Sequence, residues 1–197
     1  NTGGMGAYSP APVLPDAELE RLTDLTVRPV LRHMAERGTP FRGILYAGLM
    51  MTAAGPKVLE YNVRFGDPEC QPLLMRLRSD LADLMLAGAR GELASRRLEL
   101  RPEAALGVVL AADGYPGDYP KGMVIEGLDE AEAVDGVRVF QAGTRRDGDR
   151  LLASGGRVLC VTALGADLAE ARDRAYRGMA RVRMDKARFR SDIGVKG

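Results

Sequence analysis

The chain has 197 residues, 46% hydrophobic and 28% charged, an ordinary globular composition that fits one large domain or two small ones. Lys plus Arg number 28 against 27 Asp plus Glu, a formal net charge of +1. Neither half is a basic tail, which argues against a nucleic-acid partner or an anionic membrane surface, and no apolar run approaches the roughly 20 residues of a membrane span.

The opening NTGGMGAYSP has neither the charged start nor the apolar stretch of a secretory signal, and no initiator Met, so the chain is expected to begin partway through something longer. Gly3, Gly4, Met5 and Gly6 predict a loop whose backbone can approach a ligand closely, or a plain turn. From about Pro15 to Arg37 the pattern is helical, with Leu19, Leu22, Leu31 and Met34 apolar, Gly38 as the stop and Pro29 as a kink or break. Two strands follow, Gly43 to Thr52 and Lys57 to Phe65, joined at Ala54-Gly55-Pro56 as a hairpin. Pro68 to Gly88 reads as helix in two pieces, with Ser79 as N-cap of the second. A polar stretch over residues 91–104 marks a boundary between residues 1–99 and 100–197. Beyond it come short strands at Ala105–Ala111, Gly122–Glu126, Arg138–Ala142 and Arg157–Leu164, separated by DGYPGDYPKG, RRDGDR and SGG. A last helix starts at Asp167, where Asp167 and Glu170 form a capping-box signal and Leu168, Ala171, Ala175, Met179 and Val182 an inner stripe. The fold class is α+β: helices around a hairpin, then a small β-rich domain closed by a helix.

Cys70 and Cys160 stand far apart, with no Cys or His at metal-ligand spacing, which argues against a zinc site or a disulfide framework and suits a reducing cytoplasm. The single histidine, His33, lies beside Arg32 and Glu36 on a polar helix surface and is read as solvated, so nucleophilic catalysis through histidine is not expected. Any chemistry must run on carboxylates, amides and arginines, with or without a metal.

The segment VLEYNVRFGDPEC carries that set. At a period of two, Leu59, Tyr61, Val63 and Phe65 form an apolar face, while Glu60, Asn62 and Arg64 line the other, each about 7 Å from the next. A carboxylate and a carboxamide oxygen suit Mg²⁺ or Mn²⁺, which take a few protein oxygens and complete their shell with water and phosphate. The planar fork of Arg64 suits phosphate oxygens. The same pattern also fits a surface strand with local ion pairs.

LEYNVRFGDPECQPLL resembles the metal-binding strand of the ATP-grasp ligases. Together with NTGGMGAYSPAPV, FRGILYAGLM, AALGVVLAADGYPGDYPKG and GGRVLCVTALG, it is similar to the phosphoribosylamine–glycine ligase family, in uninterrupted order from Asn1 to about Gly194. The resemblance implies that residues 1–99 are the C-terminal part of an ATP-grasp domain and 100–197 the family's C-terminal domain, with the N-terminal part of the same enzyme upstream. It implies ATP, glycine and 5-phosphoribosylamine as substrates, Glu60 and Asn62 as ligands of Mg²⁺ or Mn²⁺, and Arg64 as the catalytic phosphate contact. Gly3, Gly4, Met5 and Gly6 would meet substrate. Asp67 would place an amine, or cap the following helix, and Lys121 would grip the phosphoribosyl group, or be a solvated lysine. Met184 stands where the family more usually has an aromatic residue, which touches only local packing. Two other readings stay open: a different ATP-grasp ligase or carboxylase, and a non-catalytic module.

Overall fold

The computed structural model describes residues 2–195. In chain order the elements are β1 (Gly6–Ser9), α1 (Asp16–Leu22), α2 (Arg28–Glu36), β2 (Tyr46–Thr52), β3 (Gly55–Asn62), α3 (Cys70–Arg76), α4 (Leu81–Arg90), β4 (Ala104–Ala112), β5 (Val124–Glu126), α5 (Leu128–Glu132), β6 (Val137–Gln141), β7 (Thr144–Asp147), β8 (Arg150–Ala153), β9 (Arg157–Gly165), α6 (Leu168–Met179), β10 (Arg183–Met184) and β11 (Ala187–Arg188). The mixture is the expected α+β class. The described residues form two compact units. One holds those of Asn1–Pro10, Asp67–Arg76 and Leu100–Gly197; the other holds Ala11–Gly66 and Leu77–Glu99. This differs from the linear division at residues 91–104, because β1 pairs with β4 and α3 lies against β4 and β9.

The larger unit is built on β4, whose nine residues are all buried. A strand covered on both faces needs no polar positions, so AALGVVLAA reads as one apolar run. β4 pairs antiparallel with β9, which pairs with β6, while β1 and β11 bond successive stretches of the other edge of β4. Leu106, Val108 and Leu110 of β4 and Val161 of β9 pack with Ala171, Ala175 and Met179, the inner stripe of α6. On the opposite side Met5, Val109, Ala111 and Cys160 form a second, smaller cluster. α6 starts as its sequence predicts: Asp167 Oδ1 accepts the Glu170 N–H at 2.8 Å. Glu170 closes back on the Ala166 N–H at 2.6 Å, one residue earlier than in the usual capping box. A second sheet runs β10-β5-β8-β7. Its β7–β8 hairpin turns at Gly148 and Asp149, in the segment expected only as a turn; β7 is arginine-rich and mostly exposed and β8 only four residues long, so neither gives an apolar alternation to read.

The smaller unit holds two helical runs and the β2–β3 hairpin. The first run neither breaks nor stops at Pro29 but stays helical from Asp16 to Glu36. A π-helical segment, Thr23–Val27, joins α1 to α2, and Pro29 sits in the first turn of α2. His33 is exposed on α2, as expected. The N-cap of α4 is Asp80, whose Oδ1 accepts the Asp83 N–H at 2.9 Å. Ser79, expected in that role, instead accepts the Glu99 N–H at 2.8 Å and donates to the Arg97 carbonyl at 3.0 Å, fastening the polar stretch after α4. Among the described residues no helix is long and apolar enough to cross a membrane.

Candidate functional site

β2 and β3 are antiparallel, with Tyr46 opposite Asn62 and Gly48 opposite Glu60. One step on, Leu49 pairs with Val58, so Leu59 is an extra residue on β3, a bulge beside Glu60. The bulge interrupts the alternation expected of residues 58–65, but Glu60 and Asn62 both lie past it and keep a common side. Their side chains touch: Asn62 Nδ2 donates to Glu60 Oε1 at 2.9 Å. Opposite them Gly48 provides room, since a Cβ there would stand 3.2 Å from Glu60 Cγ. A carboxylate and a carboxamide in contact fit a hard divalent cation that completes its shell with water and phosphate, with the Asn62 amide turned to present its oxygen in place of the nitrogen that bonds Glu60 here. Among the described residues there is no group of three or more His, Cys, Asp or Glu that could hold a metal by itself.

Two expectations for this strand need correction. β3 ends at Asn62, so Arg64 lies in the bend after it rather than at a third position along the strand face. Its Nη1 donates to the Phe65 carbonyl at 2.8 Å, and its side chain is exposed. The apolar face expected to pack is largely open within its unit: Leu59 is 63% and Val63 74% exposed. A two-stranded sheet has no second layer of its own to cover both sides. Tyr61 is the partial exception, its hydroxyl donating to the Thr26 carbonyl at 2.6 Å.

The remaining site residues of the sequence reading fall in the larger unit. Of the glycine-rich loop, Gly3 and Gly4 precede β1, and Gly4 has φ +73°, open to glycine and strained for a side chain. Met5 is buried against Val109 and Cys160 and its carbonyl accepts the Val109 N–H at 3.1 Å, so it serves the core. Gly6 is the first residue of β1, where a Cβ would stand 2.8 Å from the Gly107 carbonyl oxygen. Close strand packing accounts for it.

Gly4 and Asp67 are joined by Arg157, the first residue of β9, which lies in GGRVLCVTALG and to which the sequence assigns no role. Its Nη1 donates to the Gly4 carbonyl at 3.2 Å and the Asp67 carbonyl at 2.6 Å, and its Nη2 to Asp67 Oδ2 at 2.9 Å. Asp67 Oδ1 accepts Gln71 Nε2 at 3.2 Å. Lys121 stays apart from this cluster, exposed, with Nζ 5.7 Å from the centre of the Tyr119 ring. Tyr119 in turn meets Tyr115 edge-on at 6.2 Å, and a Cβ on Gly156 would stand 2.9 Å from the Tyr119 ring, so the GYPGDYPKG loop folds its aromatic residues over the SGG turn. The nearest signal for Arg157 in the sequence is the glycine pair before it, which marks a turn and says nothing of a guanidinium reaching across the chain.

Two family models match the chain. "Phosphoribosylglycinamide synthetase, ATP-grasp (A) domain" matches residues 1–70, and "Phosphoribosylglycinamide synthetase, C domain" residues 105–196. A phosphoribosylamine–glycine ligase of Mesorhizobium japonicum is 54% identical over 194 residues, covering 98% of this chain and 45% of that protein. A crystal structure of the phosphoribosylamine–glycine ligase of Thermotoga maritima superposes with a TM-score of 0.83 at 34% identity, over 98% of this chain and 47% of that one. The biotin carboxylase domain of the 2-oxoglutarate carboxylase of Hydrogenobacter thermophilus, crystallised with MgADP, superposes at 0.64 over 94% of this chain and 40% of that one; at 16% identity that likeness concerns the fold alone. The chain spans about half the length of the curated relatives it matches.

Proposed function

We propose a ligation, starting from the fact that the chain belongs to the phosphoribosylglycinamide synthetase family. The full-length protein joins glycine to 5-phosphoribosylamine at the expense of ATP, giving glycinamide ribonucleotide, ADP and phosphate for purine synthesis. A carboxylate oxygen of glycine attacks the γ-phosphorus of ATP and ADP departs. The amine nitrogen of phosphoribosylamine then attacks the carbonyl carbon of the glycyl phosphate; the C–O bond to phosphate breaks and the nitrogen loses a proton. Residues 1–99 are proposed as the C-terminal part of the ATP-grasp domain and 100–197 as the C domain, in a cytoplasmic enzyme.

Glu60 and Asn62 would hold Mg²⁺ or Mn²⁺ against the triphosphate of ATP. Such an ion supplies charge neutralisation as the phosphoryl group transfers. Glu60 contributes the negative charge that fixes the ion, and Asn62 a neutral oxygen beside it. Arg64, in the bend beyond β3, is exposed, its guanidinium donating to the neighbouring Phe65 carbonyl at 2.8 Å, and can turn its fork to phosphate oxygens. Gly3 and Gly4 would approach substrate through their backbone, Asp67 would receive an amine, and Lys121 would meet the phosphoribosyl phosphate.

The observation that carries this reading is the Glu60–Asn62 contact at 2.9 Å on a hairpin that Gly48 keeps open. Glu60→Gln in the full-length protein keeps shape and removes the anchoring charge. Turnover should fall about 10²–10³-fold, the scale of deleting one transition-state stabiliser, and excess Mn²⁺ should restore part of it. Normal turnover at limiting Mg²⁺ would remove the metal from this strand.

A further inference from the structure

Arg157 makes three hydrogen bonds to two chain segments far apart in sequence, the Gly4 carbonyl on one and the carbonyl and carboxylate of Asp67 on the other. Its side chain is 26% and that of Asp67 45% exposed. A pair so open to water adds little to folding stability, so stability alone does not explain a three-pronged fork. The fit is close: a Cβ on Gly4 would stand 2.5 Å from Arg157 Nη1. Gln71 holds the other carboxylate oxygen at 3.2 Å, so Asp67 is restrained from both sides while still reachable.

We propose that Arg157 is a positioning residue that sets the Gly4 backbone and the Asp67 carboxylate into one receptor for the amine of glycine. This rests on the ligase reading above. Glycine is the substrate chosen because its amine is cationic near neutral pH and so suits a carboxylate, whereas phosphoribosylamine must be neutral to attack. Arg157 acts on Asp67 and the loop rather than on the reacting atoms, and its guanidinium is irreplaceable there. A lysine ammonium is a point charge and cannot reach these three acceptors from two separate nitrogens as the guanidinium does.

The test is steady-state kinetics of the full-length protein, with Arg157→Lys and Gly4→Ala beside wild type and thermal melting measured for each. Both variants should raise KM for glycine about 10- to 100-fold. KM for ATP and for phosphoribosylamine, and kcat at saturating glycine, should stay within about threefold; melting should be nearly unchanged in Arg157→Lys and lowered by a few degrees in Gly4→Ala, where a side chain meets a positive φ. The double variant should be little worse than either single one, since both loosen the same clamp. Glycine KM at the wild-type value in Arg157→Lys would overturn the proposal, as would a shift confined to phosphoribosylamine. So would an equal loss in every kinetic constant accompanied by a large fall in melting temperature, which marks a purely structural residue. If wild type forms no glycinamide ribonucleotide at all, the ligase reading fails instead, and the two failures are distinguishable.

Discussion

A methyl group on Gly48 would stand 3.2 Å from Glu60 Cγ and 3.4 Å from the Tyr46 ring, so alanine there must push one of them aside. Gly48→Ala in the full-length protein should therefore raise the Mg²⁺ concentration for half-maximal turnover several-fold while leaving turnover at saturating Mg²⁺ near wild type. An unchanged Mg²⁺ requirement would mean that Glu60 does not depend on this gap. The thiols offer a separate check. Burial pushes Cys160 up to about 12, with a hydrogen-bond contact to Thr162 opposing it only in part. The thiol of an unfolded chain titrates near 8.5. A proton held more tightly in the folded state gives stability that is complete below that value and drains away as pH rises toward 12. Folded protein should leave Cys160 unlabelled by a thiol reagent at pH 8, and stability should decline through the pH 9–12 range; Cys160→Ala should remove that part of the decline. Rapid labelling at pH 8 without unfolding would contradict the burial of Cys160 beneath Met5, Tyr115 and Phe140.

At the scale of elements, α6 gives a direct energetic test. Asp167→Ala removes the cap on the Glu170 N–H, which should cost about 1 kcal/mol, or roughly 2–4 °C in melting temperature for a chain of this size. α6 was legible because cap and stripe are local signals, and so was β4, an unbroken apolar run. The β2–β3 hairpin was legible in outline, but its bulge at Leu59 was not: inserting a residue into a ladder leaves no mark on composition, and alternation then places Arg64 on a strand that ends at Asn62. The acid and amide could be paired from the sequence because they are two positions apart past the bulge. Arg157 could not, since its partners are Gly4 and Asp67 and only the folded sheet brings them within reach. Likewise β1, β10 and β11, each of four residues or fewer, take their form from the edges they bond to rather than from their own residues.

Across the whole molecule, burial is uneven. The β4–β9 core is closed on both faces, whereas β3 exposes most of its residues and β2 its last three. Amide hydrogen exchange should follow this: amides of Leu106–Leu110 and Val158–Ala163 exchanging only through global unfolding, and those of Met50–Tyr61 orders of magnitude faster. Equal protection in both regions would contradict that distribution of packing. The central claim is chemical, that the carboxylate of glycine is phosphorylated before the amine attacks. It is tested most directly by supplying the full-length protein with ATP, phosphoribosylamine and glycine labelled with ¹⁸O in both carboxylate oxygens, then weighing the inorganic phosphate released. The account predicts one ¹⁸O in each phosphate and one retained in the new amide. Phosphate without label, or phosphate released at the same rate when glycine is left out, would contradict it.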